Sequence, residues 1–123
     1  MRPVSVLGTV VKGRKKGRII GYPTANIDPH HEAIPPSGVY AVKIKLKERT
    51  YNGLLNIGTR PTFRDESRDP TIEAHILGFS KSIYGEDIEV MFVGRIRKEK
   101  RFKDVMGLRS EIERDEARAR KIL

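Results

Sequence analysis

Residues 39–47 are Val-Tyr-Ala-Val-Lys-Ile-Lys-Leu-Lys, a strict alternation of apolar and basic side chains from Val42 onward. Val42, Ile44 and Leu46 fall on one face, and Lys43, Lys45 and Lys47 fall on the other. A period of two is the mark of a strand with one face in a core and one in water. Working outward, a charged turn around Glu48 and Arg49 leads into a second strand, Tyr51 to Ile57. Thr71 to Phe79 places Ile72, Ala74 and Ile76 on one face, with Glu73, His75, Leu77 and Phe79 on the other. Ile88 to Ile96 groups Ile88, Val90, Phe92 and Ile96. Upstream, Val4 to Val11 is short and β-branched. Strands at such intervals, joined by Gly, Pro and Asp turns, predict a mainly β chain closed into a small antiparallel barrel.

The period changes near Asp104, a good N-cap residue. From there Val105, Leu108, Ile112, Ala119, Ile122 and Leu123 recur at helical spacing. The pattern predicts a C-terminal α-helix laying an apolar side on the barrel. Arg109, Arg114, Arg118, Arg120 and Lys121 alternate with Glu111, Glu113, Asp115 and Glu116. That interleaving predicts a solvated helix face with i,i+4 pairs, and not a nucleic-acid surface.

With 123 residues, no repeat and no dividing linker, the chain reads as a single domain over 1–123. It contains no cysteine, which removes disulfide and thiolate chemistry and suits a reducing cytoplasm. No apolar run reaches membrane-spanning length. Lys and Arg number 25 against 16 Asp and Glu, a net charge of +9 that favours an anionic ligand.

A place for that anion is Gly13 to Asn26, Gly-Arg-Lys-Lys-Gly-Arg-Ile-Ile-Gly-Tyr-Pro-Thr-Ala-Asn. Gly13, Gly17 and Gly21 permit tight turns that bring backbone N–H groups to a phosphate. Arg14, Lys15, Lys16 and Arg18 bring positive charge. Thr24 and Asn26 offer neutral oxygens of the kind magnesium accepts. The stretch is neither a P-loop nor a Gly-x-Gly-x-x-Gly fingerprint: Arg14 and Lys15 stand where a P-loop needs Lys and Ser or Thr. The other reading of these residues is a solvated basic turn.

Glu73 lies mid-strand, where a carboxylate can be held rigidly enough to take a proton from a hydroxyl; the spacing fits a surface glutamate on an outward strand face equally well. His75 shares its face. A metal centre from Glu73, His75 and the His30–His31 pair is set aside, because adjacent histidines do not chelate together easily and no cysteine assists. Asn56 to Phe63 is expected to be a structural connection between strands. Alternation places Arg95 and Arg97 together on one face of a strand end, as a cationic rim.

Together these segments resemble the riboflavin kinase family of bacterial and eukaryotic type. The resemblance runs from about Pro3 to Leu123 through Gly8-Thr-Val-Val-Lys-Gly13, Gly17-Arg18, Gly21-Tyr-Pro-Thr-Ala-Asn-Ile27, Gly38-Val-Tyr40, Asn56-Ile-Gly-Thr-Arg-Pro-Thr62, Glu73-Ala-His-Ile76, Tyr84-Gly85, Arg97-Lys-Glu-Lys-Arg-Phe102 and the helix carrying Asp115. It implies a six-stranded Greek-key barrel with nucleotide and flavin at one end. It implies transfer of the ATP γ-phosphoryl group to the riboflavin 5′-hydroxyl, giving FMN and ADP with Mg²⁺ as cofactor. Carried over by motif, Glu73 is the catalytic carboxylate, and Thr24 and Asn26 are the metal and phosphate residues. Gly13, Arg18 and Tyr84 lie on the ATP side, while Arg97, Lys100 and Gly107 lie on the flavin side. Gly78 and Tyr22 depart from similar sequences, and Gly78 receives no site role.

Similar modules in many bacteria follow an N-terminal FMN adenylyltransferase domain, and Arg2-Pro3-Val4-Ser5 resembles the junction between the two. The expected partners are riboflavin, FMN, ATP and ADP, with no membrane and a cytoplasmic location. The rival function is a non-catalytic basic β-barrel that binds single-stranded nucleic acid. A stacking platform wants several clustered aromatics, and the four Tyr and four Phe here are scattered.

Overall fold

The computed structural model describes residues 5–11, 25–30, 34–58, 71–79, 82–99 and 105–123. Six strands and one helix emerge: β1 (Ser5–Val11), β2 (Ala25–Pro29), β3 (Gly38–Leu46), β4 (Arg49–Gly58), β5 (Thr71–Ile76), β6 (Asp87–Arg97) and α1 (Val105–Ile122). The strands close into a barrel in the order β1-β2-β5-β4-β3-β6, with every neighbouring pair antiparallel. The consecutive strands β3, β4 and β5 lie side by side, and β6 returns to lie beside β3, which is a Greek key. The six-stranded barrel with a helix on its outside matches the architecture expected from the alternating stretches.

The interior is built as residues 39–47 demanded. Val42 and Ile44 are fully buried, joined by Val10, Ile27, Leu55, Ile57, Ile72, Ala74, Ile76, Ile88 and Val90 from the other strands. Lys45 is exposed, and Lys43 is half-buried with its ammonium donating to Asn52 Oδ1 at 3.1 Å. Each fully buried aliphatic side chain stabilises the fold by about 1.5–3 kcal/mol relative to exposure. Closure pairs each strand with a neighbour on both sides, although β2 meets β5 only at Ala25 and Asn26.

Three local expectations need correction. First, β5 ends at Ile76, because Gly78 turns the chain at φ +68. Phe79 therefore does not continue the Glu73 face; it packs against the core and edge-on to Tyr51, with ring centroids 5.0 Å apart.

Second, β6 carries two irregularities against β3. Ala41 pairs with Gly94 while Val42 pairs with Phe92, and Val39 pairs with Arg97 while Tyr40 pairs with Arg95. Each leaves an extra residue, Val93 and then Ile96, and shifts the faces by one position. Ile96 thus leaves the inner set and joins an outer cluster with Val39, Ala41, Leu54, Ala119 and Leu123. Arg95 and Arg97 likewise oppose residues of different faces and do not form a common rim.

Third, α1 does not dock by an apolar stripe alone. Among the described side chains of α1 the buried ones are Glu111, Asp115 and Ala119, spaced four apart on one side. Leu108 and Ile112 are only half-buried, and Ile122 is exposed. The expected surface pairs do form at Arg109–Glu113 and Arg120–Glu116, both i,i+4. Two carboxylates of the same interleaved run point at the barrel instead. Among the described residues, no helix is long and apolar enough to cross a membrane.

Candidate active site

Register alone assembles a polar row on the outside of the barrel. Asn26 of β2 lies opposite Glu73 of β5, and Glu73 lies opposite Asn56 of β4. Residues directly opposite in a sheet share a face, with Cβ atoms about 4.5–5.5 Å apart. The face is the outer one, since the flanking Ala25, Ile27, Ile72, Ala74, Leu55 and Ile57 all pack on the inner core. Asn26 and Glu73 are half-buried, and Asn56 is exposed. No hydrogen bond or ion pair ties the side chains of Asn26, Glu73 or Asn56 to another described residue. One carboxylate thus stands between two carboxamides, all held by paired strands.

The row has two different flanks. On one, Asn26 pairs with Val11, the last residue of β1. The glycine-rich basic stretch connects Val11 to Ala25 in the chain, so both its ends are anchored here. Tyr84 is on this flank too, in an exposed turn pinned by the Gly85 N–H donating to the Val10 carbonyl at 2.8 Å.

On the other flank, Asn56 pairs with Val39, and Val39 pairs with Arg97. Here α1 covers the sheet. Arg97 grips Asp115 with two parallel bonds, Nε to Oδ1 and Nη2 to Oδ2, both 2.8 Å. Its third nitrogen donates to the Lys98 carbonyl at 3.1 Å. Glu111 approaches Arg97 Nε at 3.5 Å and binds Arg114 at 3.0 Å, while Arg118 approaches both carboxylates. The Arg97 side chain is 15% exposed and that of Asp115 2%, so the pair is a buried fork, not a surface contact. Gly107 lies in the first turn of α1, exposed. The Glu99 carboxylate lies over the end of β4: a Cβ on Gly58 would meet its Oε1 at 3.1 Å.

The riboflavin kinase (flavokinase) pattern matches residues 1–123. The chain belongs to the riboflavin kinase family. It is 40% identical over 120 residues to the bifunctional riboflavin kinase/FMN adenylyltransferase of Bacillus subtilis, covering 96% of this chain and 38% of that protein. Against the protein of the same description from Haemophilus influenzae it is 43% identical over 115 residues, covering 93% and 37%. The chain therefore spans less than two fifths of the length of these relatives.

Two crystal structures share the fold. The riboflavin kinase of Trypanosoma brucei matches with a TM-score of 0.64 at 22% identity, over all of this chain and 82% of that one. A Streptococcus pneumoniae protein described as a macrolide-efflux protein matches with a TM-score of 0.89 at 34% identity, over 96% of this chain and 38% of that one.

Of the residues singled out by motif, Asn26 and Glu73 are neighbours in the flavokinase barrel, Tyr84 shares their flank, and Arg97 and Gly107 lie across the row beside α1. Gly13, Arg18, Thr24 and Lys100 lie outside the described residues. His75, opposite Leu54, shares the outer face. His30 bonds instead to Thr9 Oγ1 at 2.6 Å, near Asp87 at the far end of β2.

Sequence reasoning missed three residues. Asn56 was read as part of a strand connection, yet it opposes Glu73; its only signal was its place in the alternation of β4. Glu111 and Asp115 were read as solvent-facing, yet they clamp the helix. Their signal was the four-residue spacing that they share with Ala119.

Proposed function

We propose that this chain is an ATP:riboflavin 5′-phosphotransferase, converting riboflavin and Mg-ATP to FMN and ADP. The observation that carries the reading is the Asn26–Glu73–Asn56 row, set between the ends of a glycine-rich basic stretch and a helix-covered flank, in a chain of the riboflavin kinase family.

In this reading Glu73 accepts the proton of the 5′-hydroxyl as that oxygen forms its bond to the γ-phosphorus. The bond from γ-phosphorus to the β,γ-bridging oxygen breaks, and ADP leaves with the electron pair. Phosphoryl transfer asks a protein for little beyond alignment and charge stabilisation. Glu73 suits the first task because both neighbouring strands hold its backbone. Thr24 and Asn26 would hold magnesium; Asn26 brings a hard neutral oxygen beside a carboxylate, a donor set that fits that ion. Bound there, the ion neutralises charge on the transferring phosphate. Gly13 and Arg18 act on the phosphates, and Tyr84 borders the nucleotide. Arg97, Lys100 and Gly107 serve the flavin side, Arg97 with its guanidinium already engaged in placing α1.

The reaction belongs in the cytoplasm, where ATP and magnesium are supplied. A longer parent carrying an adenylyltransferase domain accounts for the fraction of the relatives that this chain spans. The nucleic-acid reading has no support. Among the described aromatics, Tyr40, Tyr51, Phe79 and Phe92 pack into the core or against one another, which leaves Tyr84 exposed and no cluster of stacking rings among those residues.

The test of the catalytic assignment is Glu73→Gln, which keeps the shape of the side chain and removes the base. We expect kcat to fall by about 10²–10⁴-fold with the affinity for a non-hydrolysable ATP analogue unchanged. Activity within a few-fold of wild type would remove Glu73 from the role.

A further inference from the structure

Resting on that reading, we infer that Asn56 is the residue that binds the polyol chain of the acceptor and holds its terminal hydroxyl on Glu73. Asn56 opposes Glu73 directly, on the strand away from Asn26. Magnesium and phosphate ligands come from the β2 side, where the basic stretch begins and ends. In-line transfer puts the attacking and leaving oxygens on opposite sides of the phosphorus. An acceptor reaching Glu73 must therefore approach over β4.

The residue it meets there is Asn56. Its carboxamide is exposed and bonded to no other described residue. It lies on the floor between Glu73 and the flank covered by α1, two residues before Gly58, which leaves room for Glu99 above the strand. A carboxamide donates through nitrogen and accepts through oxygen, as a run of adjacent hydroxyls requires.

The experiment compares two acceptors that share ring and terminal hydroxyl. One is riboflavin; the other is the same isoalloxazine carrying a 5-hydroxypentyl chain, without the three inner hydroxyls. Binding to wild type and Asn56→Ala is measured by flavin fluorescence with a magnesium-loaded non-hydrolysable ATP analogue present. We expect Asn56→Ala to weaken riboflavin about tenfold, the worth of one or two good hydrogen bonds, and to leave the hydroxypentyl flavin within twofold of wild type. Equal weakening of both acceptors, or of neither, would overturn the assignment. The exposed position keeps the variant folded, which its melting temperature verifies. Because the readout is binding, it stands apart from the Glu73→Gln rate: an active Glu73→Gln variant with the acceptor difference intact would sink the base and keep Asn56.

Discussion

At the scale of residues, register brings the candidate groups together. A carboxylate on a strand costs nothing to a sequence and means little alone. It gains meaning from Asn26 on one side and Asn56 on the other. Glu73 was readable from its place opposite three apolar neighbours, and Asn26 from the tetrapeptide Pro23-Thr24-Ala25-Asn26. Their adjacency was not, because cross-strand partners are set by which strands neighbour, not by distance along the chain. The same gap hid Asn56.

Asn26 carries a prediction at this scale. Asn26→Ala and Thr24→Ala remove hard oxygen donors, so each is expected to raise the magnesium concentration required for half-maximal activity, with partial rescue by excess metal. Titrating activity against magnesium at fixed ATP checks this, and unchanged curves for both variants would contradict the metal assignment.

At the scale of elements, alternation delivered the strands and failed where the backbone slips. Nothing in Val90 to Arg97 announces that Val93 and Ile96 are extra residues against β3. A bulge depends on the partner strand, and the partner is not visible from one segment. The helix failed for another reason. Charged residues are ordinarily solvated, so Glu111 and Asp115 read as surface, and only Arg97 arriving from β6 makes their burial affordable.

That clamp is testable. Removing one partner of a buried pair leaves the other charge uncompensated, at a cost of about 3–5 kcal/mol. Asp115→Ala and Arg97→Ala should each lower the melting temperature by roughly 10–20 °C in a domain of this size. Arg97→Lys should recover only part, because an ammonium cannot make the two parallel bonds. With the acceptor on that flank, as proposed, Arg97→Ala should raise the riboflavin KM more than the ATP KM. Thermal melts within a degree or two of wild type would show that the helix is held by its apolar contacts alone.

At the scale of the whole molecule, the barrel is a rigid frame for one outer face. Closure fixes six strands around a core of aliphatic side chains. Two features then divide that face: the β1–β2 flank, where the basic stretch is anchored, and the β3–β6 flank, where α1 lies. The net charge of +9 suits polyphosphate on the first flank, and the clamp neutralises cations on the second. The proposed reacting centre lies between them.

A second activity, adenylyl transfer to FMN, needs its own nucleotide site and phosphate-binding helix. The barrel and single helix described here supply neither. The most direct measurement is product analysis. Purified protein is incubated with riboflavin and excess Mg-ATP, and separately with FMN and excess Mg-ATP, and the flavins are separated by chromatography. We expect FMN to accumulate in the first reaction, with one ADP formed per FMN, and FMN to stay unchanged in the second. Riboflavin left unphosphorylated by the folded protein, or FAD formed from FMN by this chain alone, would contradict it.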